Sequence, residues 1–231
     1  MMKTIGLLGG MTWHSTVEYY RLINAGVQER LGGNHSARCI LYSVEFAEVE
    51  SLQESGGWEA LAGFMAETAR RVEQAGADLL LICANTMHRT APAVEAAVSI
   101  PLLHIADATA AEIRKQGLKT VGLLGTRFTM EQDFYRDRLQ DRHGLKVLIP
   151  AEDERKTIHD VIYHELGRGI ISEKSRDAYV SIIEKLHRRG AEGVILGCTE
   201  IPLLIRPVDY PIPLFDTTAL HAAAAVEWAL Q

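Results

Sequence analysis

Short apolar runs that end in glycine or small polar residues alternate along this chain with longer segments whose apolar positions recur every three to four residues. The first run, Lys3–Leu8 (KTIGLL), is bounded by Gly9-Gly10. It predicts a buried parallel strand feeding a Gly-rich loop, GGMTWHS. A helix is predicted from Ser15 or Thr16, either of which can cap it, with Val17, Tyr20, Ile23 and Val27 on its apolar face. Gly32-Gly33 then breaks it. Ala37–Val44 reads as a strand, Glu45–Glu54 as a polar loop and short helix, and Trp58–Gln74 as a helix. Residues 89–98 read as helical, Ile100–Ile105 as another strand, and Asp107 as the cap of the next helix. Further on, Met130–Arg142, Glu152–Arg168 and Ser172–Arg189 read as helices, with a strand at Leu145–Ile149. A strand near 211–215 and a helix capped by Asp216 close the chain.

Part of this pattern occurs twice. Residues 76–86 read GADLLLICANT and residues 190–200 read GAEGVILGCTE. Lys119–Thr126 (KTVGLLGT) nearly repeats Lys3–Gly10 (KTIGLLGG), 116 residues on, while Gly190 follows Gly76 by 114. A weaker echo sets Pro101 against Pro211. Landmarks matched in order mean an internal duplication. Aligned from the shared Gly-Ala-acid opening, Cys198 falls opposite Ala84, and Cys83 opposite Gly197.

Strands alternating with helices predict an α/β fold with mostly parallel sheets. Right-handed crossovers place the loops after the strands on one edge, where ligands bind in such folds. Four loops are therefore candidates: GGMTWHS, ANTMH, GTRFTM and CTE. Two matching halves would leave a cleft lined by both copies of one motif. Neither Gly-rich loop is a dinucleotide fingerprint, and GTRFTM lacks the lysine of a phosphate-cradling loop. Both offer backbone N–H groups near a helix start, which suits a carboxylate.

Composition narrows the classes. The 231 residues suffice for one large or two small domains with a real core. A net charge of −6 argues against a non-specific nucleic-acid binder. Three cysteines without CxxC argue against a disulfide framework or structural zinc, and point to a reduced, cytoplasmic setting. The opening residues lack a signal-peptide layout, and no apolar run approaches the ~20 residues that span a bilayer. The nine histidines give no HExxH or matched metal-ligand set.

Cys198 ends a strand just before a helix start, where a thiol is readily activated. Cys83 and Ala84 are neighbours on a strand and face opposite ways, which points Cys83 into packing. Cys39 reads as core. His88, four residues beyond Ala84, is a candidate orienting group, and His14 sits in the Gly-rich loop; both read equally well as surface residues.

N-T-M-H after the first repeated strand, G-C-T-E after the second and IGLLGGM at the start resemble the cofactor-independent aspartate/glutamate racemase superfamily. LLGTRFTMEQDFY, HIADAT, LGCTEI and FDTTA look most like its bacterial broad-specificity amino-acid racemase subgroup. The resemblance implies two pseudo-symmetric flavodoxin-like domains with an interdomain cleft. It implies that residues 1–106 plus 208–231 form the first and 107–207 the second, the C-terminal strand and helix returning to the first. It also implies an enzyme that inverts the amino-acid Cα by proton exchange between two thiols on opposite faces. Neither pyridoxal phosphate nor a metal is implied, and the partners are an amino-acid substrate and a second copy in a homodimer, with no nucleic acid or membrane.

Carried over by motif, Cys198 matches the second cysteine, and Ala84 occupies the slot of the opposing acid/base. The subgroup can carry a Thr there, preceded by a Cys that Cys83 matches. An alanine exchanges no proton. Three readings follow: a one-base enzyme in which water or a neighbour substitutes, an inactivated variant that traps its ligand, or Cys83 reaching the cleft through a bulge. Asn85, Thr86, Thr199 and Glu200 match substrate-holding positions; Met11 and Thr126 match cleft-lining ones. Gln53 matches a position that meets the substrate side chain, and Arg168 is the nearest match to a basic residue there. Two alternatives compete with the racemase: a one-cysteine decarboxylase or isomerase of the same superfamily, and a non-catalytic amino-acid-binding protein.

Overall fold

The computed structural model describes residues 2–206 and 210–231. It divides into two compact units, Met1–Ile105 with His221–Gln231, and Ala106–Leu220. The first contains β1 (Thr4–Gly9), α1 (Trp13–Leu31), β2 (Arg38–Ser43), α2 (Phe46–Glu54), α3 (Trp58–Gln74), β3 (Leu79–Ile82) and α4 (Ala91–Ala97). α5 (Ile105–Lys115) leads into the second, which holds β4 (Thr120–Gly125), α6 (Arg127–Glu131), α7 (Asp133–Asp137), β5 (Lys146–Leu148), α8 (Glu152–His164), α9 (Glu173–Arg188), β6 (Gly193–Gly197), α10 (Ile201–Leu204) and β7 (Leu214–Asp216). α11 (Thr217–Ala229) leads back. The sheets run β2-β1-β3 and β5-β4-β6-β7, every pairing parallel.

The duplication is visible in the ladders. Ile5 pairs Leu79 and Leu8 pairs Ile82; Val121 pairs Gly193 and Leu124 pairs Leu196. Adding the two offsets carries each first-unit pair onto its second-unit counterpart. The Gly-Ala-acid opening is structural. Gly76 and Gly190 take φ of +100° and +99°, which lets α3 and α9 end and the chain turn into a strand. Ala77 and Ala191 are buried beneath that turn. The acid then clamps the neighbouring strand's start: Asp78 accepts from the Thr4 N–H at 2.7 Å, and Glu192 from those of Lys119 and Thr120, each at 2.7 Å.

Alternation along the first sheet separates two cores. Ile5, Leu7, Leu79, Leu81 and Cys83 pack with Tyr19 and Ile23 of α1 and Ala222 and Val226 of α11. Leu8, Leu80, Ile82 and Ala84 face the other way, against Leu61, Met65, Ala69 and Val72 of α3. Gly6 is needed there, because a Cβ would sit 2.5 Å from Val72 Cγ1 and 2.9 Å from Ala77 Cβ. In the second unit Leu124, Val194, Leu196 and Cys198 share a core with residues of α8 and α9.

Several expectations need correction. Thr12, not Ser15 or Thr16, caps α1, its side chain accepting from the Ser15 N–H. The buried stripe of α1 is Tyr19, Ile23 and Val27, while Val17 and Tyr20 are more than half exposed. Asp107 lies in the first turn of α5, which begins at Ile105, so it caps nothing; it receives a two-pronged bond from Arg138 and one contact from His143. Met130–Arg142 is not one helix: extended backbone at Gln132 separates α6 from α7, and a π-helical turn follows. Ile100–Ile105 forms no strand, only a single parallel bridge between Leu80 and Leu102. That bridge corrects the third echo. Leu80 N–H bonds Pro101 O as Val194 N–H bonds Pro213 O, so Pro101 matches Pro213 rather than Pro211.

The expected boundary at 207/208 lies outside the described residues. β7 pairs with β6 rather than joining the first sheet, and the chain groups with the first unit again only from His221. Among the described residues no helix is long and apolar enough to cross a membrane.

Candidate active site

Each unit ends its central strands side by side. In the second, Gly125 pairs with Gly197, so Thr126 and Cys198 are the next residues of adjacent strands. Both glycines are required by this approach, since a Cβ at Gly197 would lie 2.7 Å from Leu124 O. Thr126 is nearly buried and caps α6, its hydroxyl accepting from the Thr129 N–H. In the first unit the Cys83 N–H bonds Leu8 O, which continues the ladder without a bulge. Gly10 and Ala84 therefore stand where Thr126 and Cys198 stand in the second. Gly10 takes φ +92° and packs on Val44, and its N–H bonds the Thr16 hydroxyl at 2.8 Å. That amide is thus engaged internally, contrary to its expected availability to a carboxylate.

The CTE loop is a compact proton-bearing cluster. Cys198 and Glu200 are each 8% exposed. Cys198 Sγ donates to Glu200 Oε2 at 2.9 Å, and the Thr199 hydroxyl donates to the same oxygen at 2.6 Å. Burial pushes the Cys198 thiol well above its ordinary range. The charge of Glu200 and its hydrogen bond add to this, against a smaller opposite pull from the Glu200 and Thr199 backbone N–H groups. A thiol at a helix start is readily activated, but here the backbone N–H groups lose to desolvation and a facing carboxylate. Glu200 turns back onto the cysteine two residues earlier, a contact that its expected substrate-holding role did not foresee.

The first unit gathers Ala84, Asn85, Thr86, Met11 and Gln53. Met11, Ala84 and Met87 share one buried cluster, and Gln53, buried on α2, donates from Nε2 to Met87 Sδ at 3.1 Å. Asn85 and Thr86 are buried at the start of a 3-10 turn, Thr86–Thr90. Cys83 has no exposed surface and packs on the opposite face of the sheet. Burial pushes its thiol far up, with a smaller contribution from Cys39.

Arg168 is exposed at the end of a 3-10 turn, Leu166–Arg168. Arg89 stacks over Trp58, 4.1 Å from its ring centroid. His14, in the first turn of α1, is exposed and stacks on Trp13. His88, His104 and His221 are buried together in the first unit. Only His88 could be suspected from sequence, since the other two lie 16 and 133 residues beyond it. Among the described residues no group of three or more His, Cys, Asp or Glu is arranged to hold a metal ion.

Residues 8–225 match the family described as Asp/Glu/Hydantoin racemase. A crystal structure from Yersinia pestis, of a protein proposed to be an Asp/Glu racemase, is 53% identical with a TM-score of 0.94, covering all of both chains. That of an aspartate racemase homologue from Pyrococcus horikoshii OT3 is 37% identical with a TM-score of 0.88, again over the full length of both. The broad specificity amino-acid racemase RacX of Bacillus subtilis is 24% identical over 158 residues, 68% of this chain and 67% of that protein.

Proposed function

The chain belongs to the Asp/Glu/hydantoin racemase family, and from that we propose that it exchanges the α-proton of an amino acid without pyridoxal phosphate, using Cys198 as acid/base. The observation that carries the reading is the buried thiol–carboxylate pair at the end of β6, Cys198 Sγ to Glu200 Oε2 at 2.9 Å. At rest the thiol holds the proton and Glu200 receives the hydrogen bond. To act as a base, Cys198 passes its proton to Glu200, and the thiolate then takes the α-proton. In reverse, the thiol delivers its proton to the α-carbanion and recovers one from Glu200. Each transfer is balanced, the charge moving between sulfur, carboxylate and Cα. Asn85, Thr86 and Thr199 supply hydrogen bonds for the substrate's carboxylate in this reading, and Gln53 meets its side chain.

Two-base inversion requires a second acid/base on the opposite face of Cα. Ala84 occupies the position matching Cys198 and carries no proton, which favours a one-base enzyme of reduced inversion rate. The deciding experiment incubates each enantiomer of a panel including aspartate and glutamate in deuterated water. α-Deuterium uptake that Cys198→Ala abolishes is the expected result, with faster inversion in Ala84→Thr or Ala84→Cys. Absence of uptake and of optical change across the panel would sink the reading. Ala84 equally motivates protonation after loss of carbon dioxide, for which release of the gas from malonate derivatives is the test. Calorimetric binding of an amino acid without exchange would instead mark a binding protein.

A further inference from the structure

The backbone around Ala84 is held by a buried imidazole. His88 is 1% exposed, with Nδ1 2.9 Å from Ala84 O and Nε2 3.2 Å from the backbone N of Ile105. An amide N–H can only donate, so Nε2 is the acceptor and the ring proton sits on Nδ1, donating to Ala84 O. His221 shows the opposite arrangement. Its Nε2 is 2.9 Å from Leu103 O, which can only accept, and its Nδ1 is 2.8 Å from the Tyr19 hydroxyl, which therefore donates. The two rings lie 5.7 Å apart and hold residues 103 and 105 on either side of His104.

Among the described residues of the second copy no histidine meets the matching carbonyl. There the Cys198 carbonyl is met by the Ile201 N–H of its own turn at 3.3 Å, and the position matching His88 is Pro202. A plain core histidine would need only to satisfy its own nitrogens. This one joins two backbone atoms 21 residues apart, one of them the carbonyl of the residue in the acid/base slot.

We propose that His88, as the neutral Nδ1–H tautomer, is a positioning residue that sets where the residue at position 84 presents its side chain. The proposal rests on reading position 84 as the acid/base slot. It concerns the residue that any restored donor, such as Thr or Cys, would have to occupy.

The test separates the two ideas. Nitrogen-15 ring spectroscopy of the parent protein should show Nδ1–H with an unprotonated Nε2 at His88, and the reverse at His221. The reverse tautomer at His88 overturns the proposal without any variant being made. In Ala84→Cys, the introduced thiol is alkylated with iodoacetamide alongside Cys198, and the two peptides are read by mass spectrometry. Adding His88→Ala should change the rate at the introduced thiol tenfold or more and leave Cys198 unaltered. His88→Asn, which can still donate to Ala84 O, should restore most of that rate. No change at the introduced thiol, or equal changes at both thiols, refutes the positioning role. Deuterium uptake by both enantiomers of the amino-acid panel is followed in the same proteins. Its absence in all of them, with the alkylation difference intact, would refute the racemase reading and leave the positioning role standing.

Discussion

Replacing Glu200 by Gln removes the charge that faces Cys198 while preserving the side chain's shape. The magnitude follows from the contact. Unit charges ~4 Å apart interact by about 1 kcal/mol in water and about 4 kcal/mol at an effective permittivity of ~20. Cys198 and Glu200 are each 8% exposed, which moves the pair toward the upper figure. At about 1.4 kcal/mol per pH unit, Glu200→Gln should lower the ionisation midpoint of Cys198 by about one to three pH units. The amide's own N–H can donate to the thiolate, which acts in the same direction. Iodoacetamide alkylation rates followed upward from about pH 6 read the shift, since the thiolate is the reacting form and its fraction rises with pH until the midpoint is passed. Peptide mass spectrometry separates Cys198 from the other two cysteines. Cys83 is fully buried, and Cys39, its thiol pushed up to about 11 by burial, is read on its own peptide. A midpoint that stays in place or rises would refute the claim that Glu200 holds the proton on Cys198. Loss of the proton acceptor should also cut α-exchange near neutral pH by about 10²-fold or more, with recovery as pH rises through the thiol midpoint.

Other outcomes follow from packing and charge. Cys83→Ala should leave the Cys198 alkylation profile and any α-exchange unchanged and lower stability by about 1 kcal/mol in urea unfolding, as expected of a small core residue. Gly6→Ala should cost about 1–3 kcal/mol, and more than Gly122→Ala, because the new methyl meets Val72 Cγ1 at 2.5 Å rather than Leu186 Cδ1 at 2.9 Å. Burial raises the Asp107 carboxyl, but Arg138 and then His143 outweigh it and hold the group below its usual range. Its stabilisation is therefore present above the unfolded carboxylate value of about 4 and is lost as pH falls through the lower folded value. Asp107→Asn should cost about 1–3 kcal/mol at pH 7, and the gap to the parent should close on acidification, read by denaturant midpoints at each pH.

Much of this fold could be read from the chain because the strand segments are repeated. KTIGLL and KTVGLL, and the two Gly-Ala-acid runs, locate β1, β3, β4 and β6, and Trp58–Gln74 is the helix the pattern predicts. Failures came where one element satisfies two patterns or pairs too briefly. α1 carries apolar residues on overlapping stripes, and only packing against α11 and the sheet selects Tyr19, Ile23 and Val27 over Val17 and Tyr20. Ile100–Ile105 has a strand's composition, yet pairs at a single residue. The opposite facing of Cys83 and Ala84 was legible from the two-residue period of a strand, and the cores place them so. The Cys198–Glu200 contact was not, since side-chain direction just past a strand end has no periodicity to follow. Nor were the histidine contacts, which join residues 19, 88, 103, 105 and 221 through the fold alone.

The matched ladders also bear on how such a protein changes over time. Strand pairs keep one register in both copies, although the spacing differs by two residues between landmarks. Length differences between the copies thus fall in the connections, and the sheets are indifferent to them. The bond that ends the first ladder, Cys83 N–H to Leu8 O, is made by backbone atoms and does not use the side chain at position 84. One copy can therefore carry Ala84 and its twin Cys198 with the same strand register in both. Exchanging only the residues just past the strands, Ala84 onward and Cys198 onward, leaves Gly197 in place and offers a direct route to rebuilding either end.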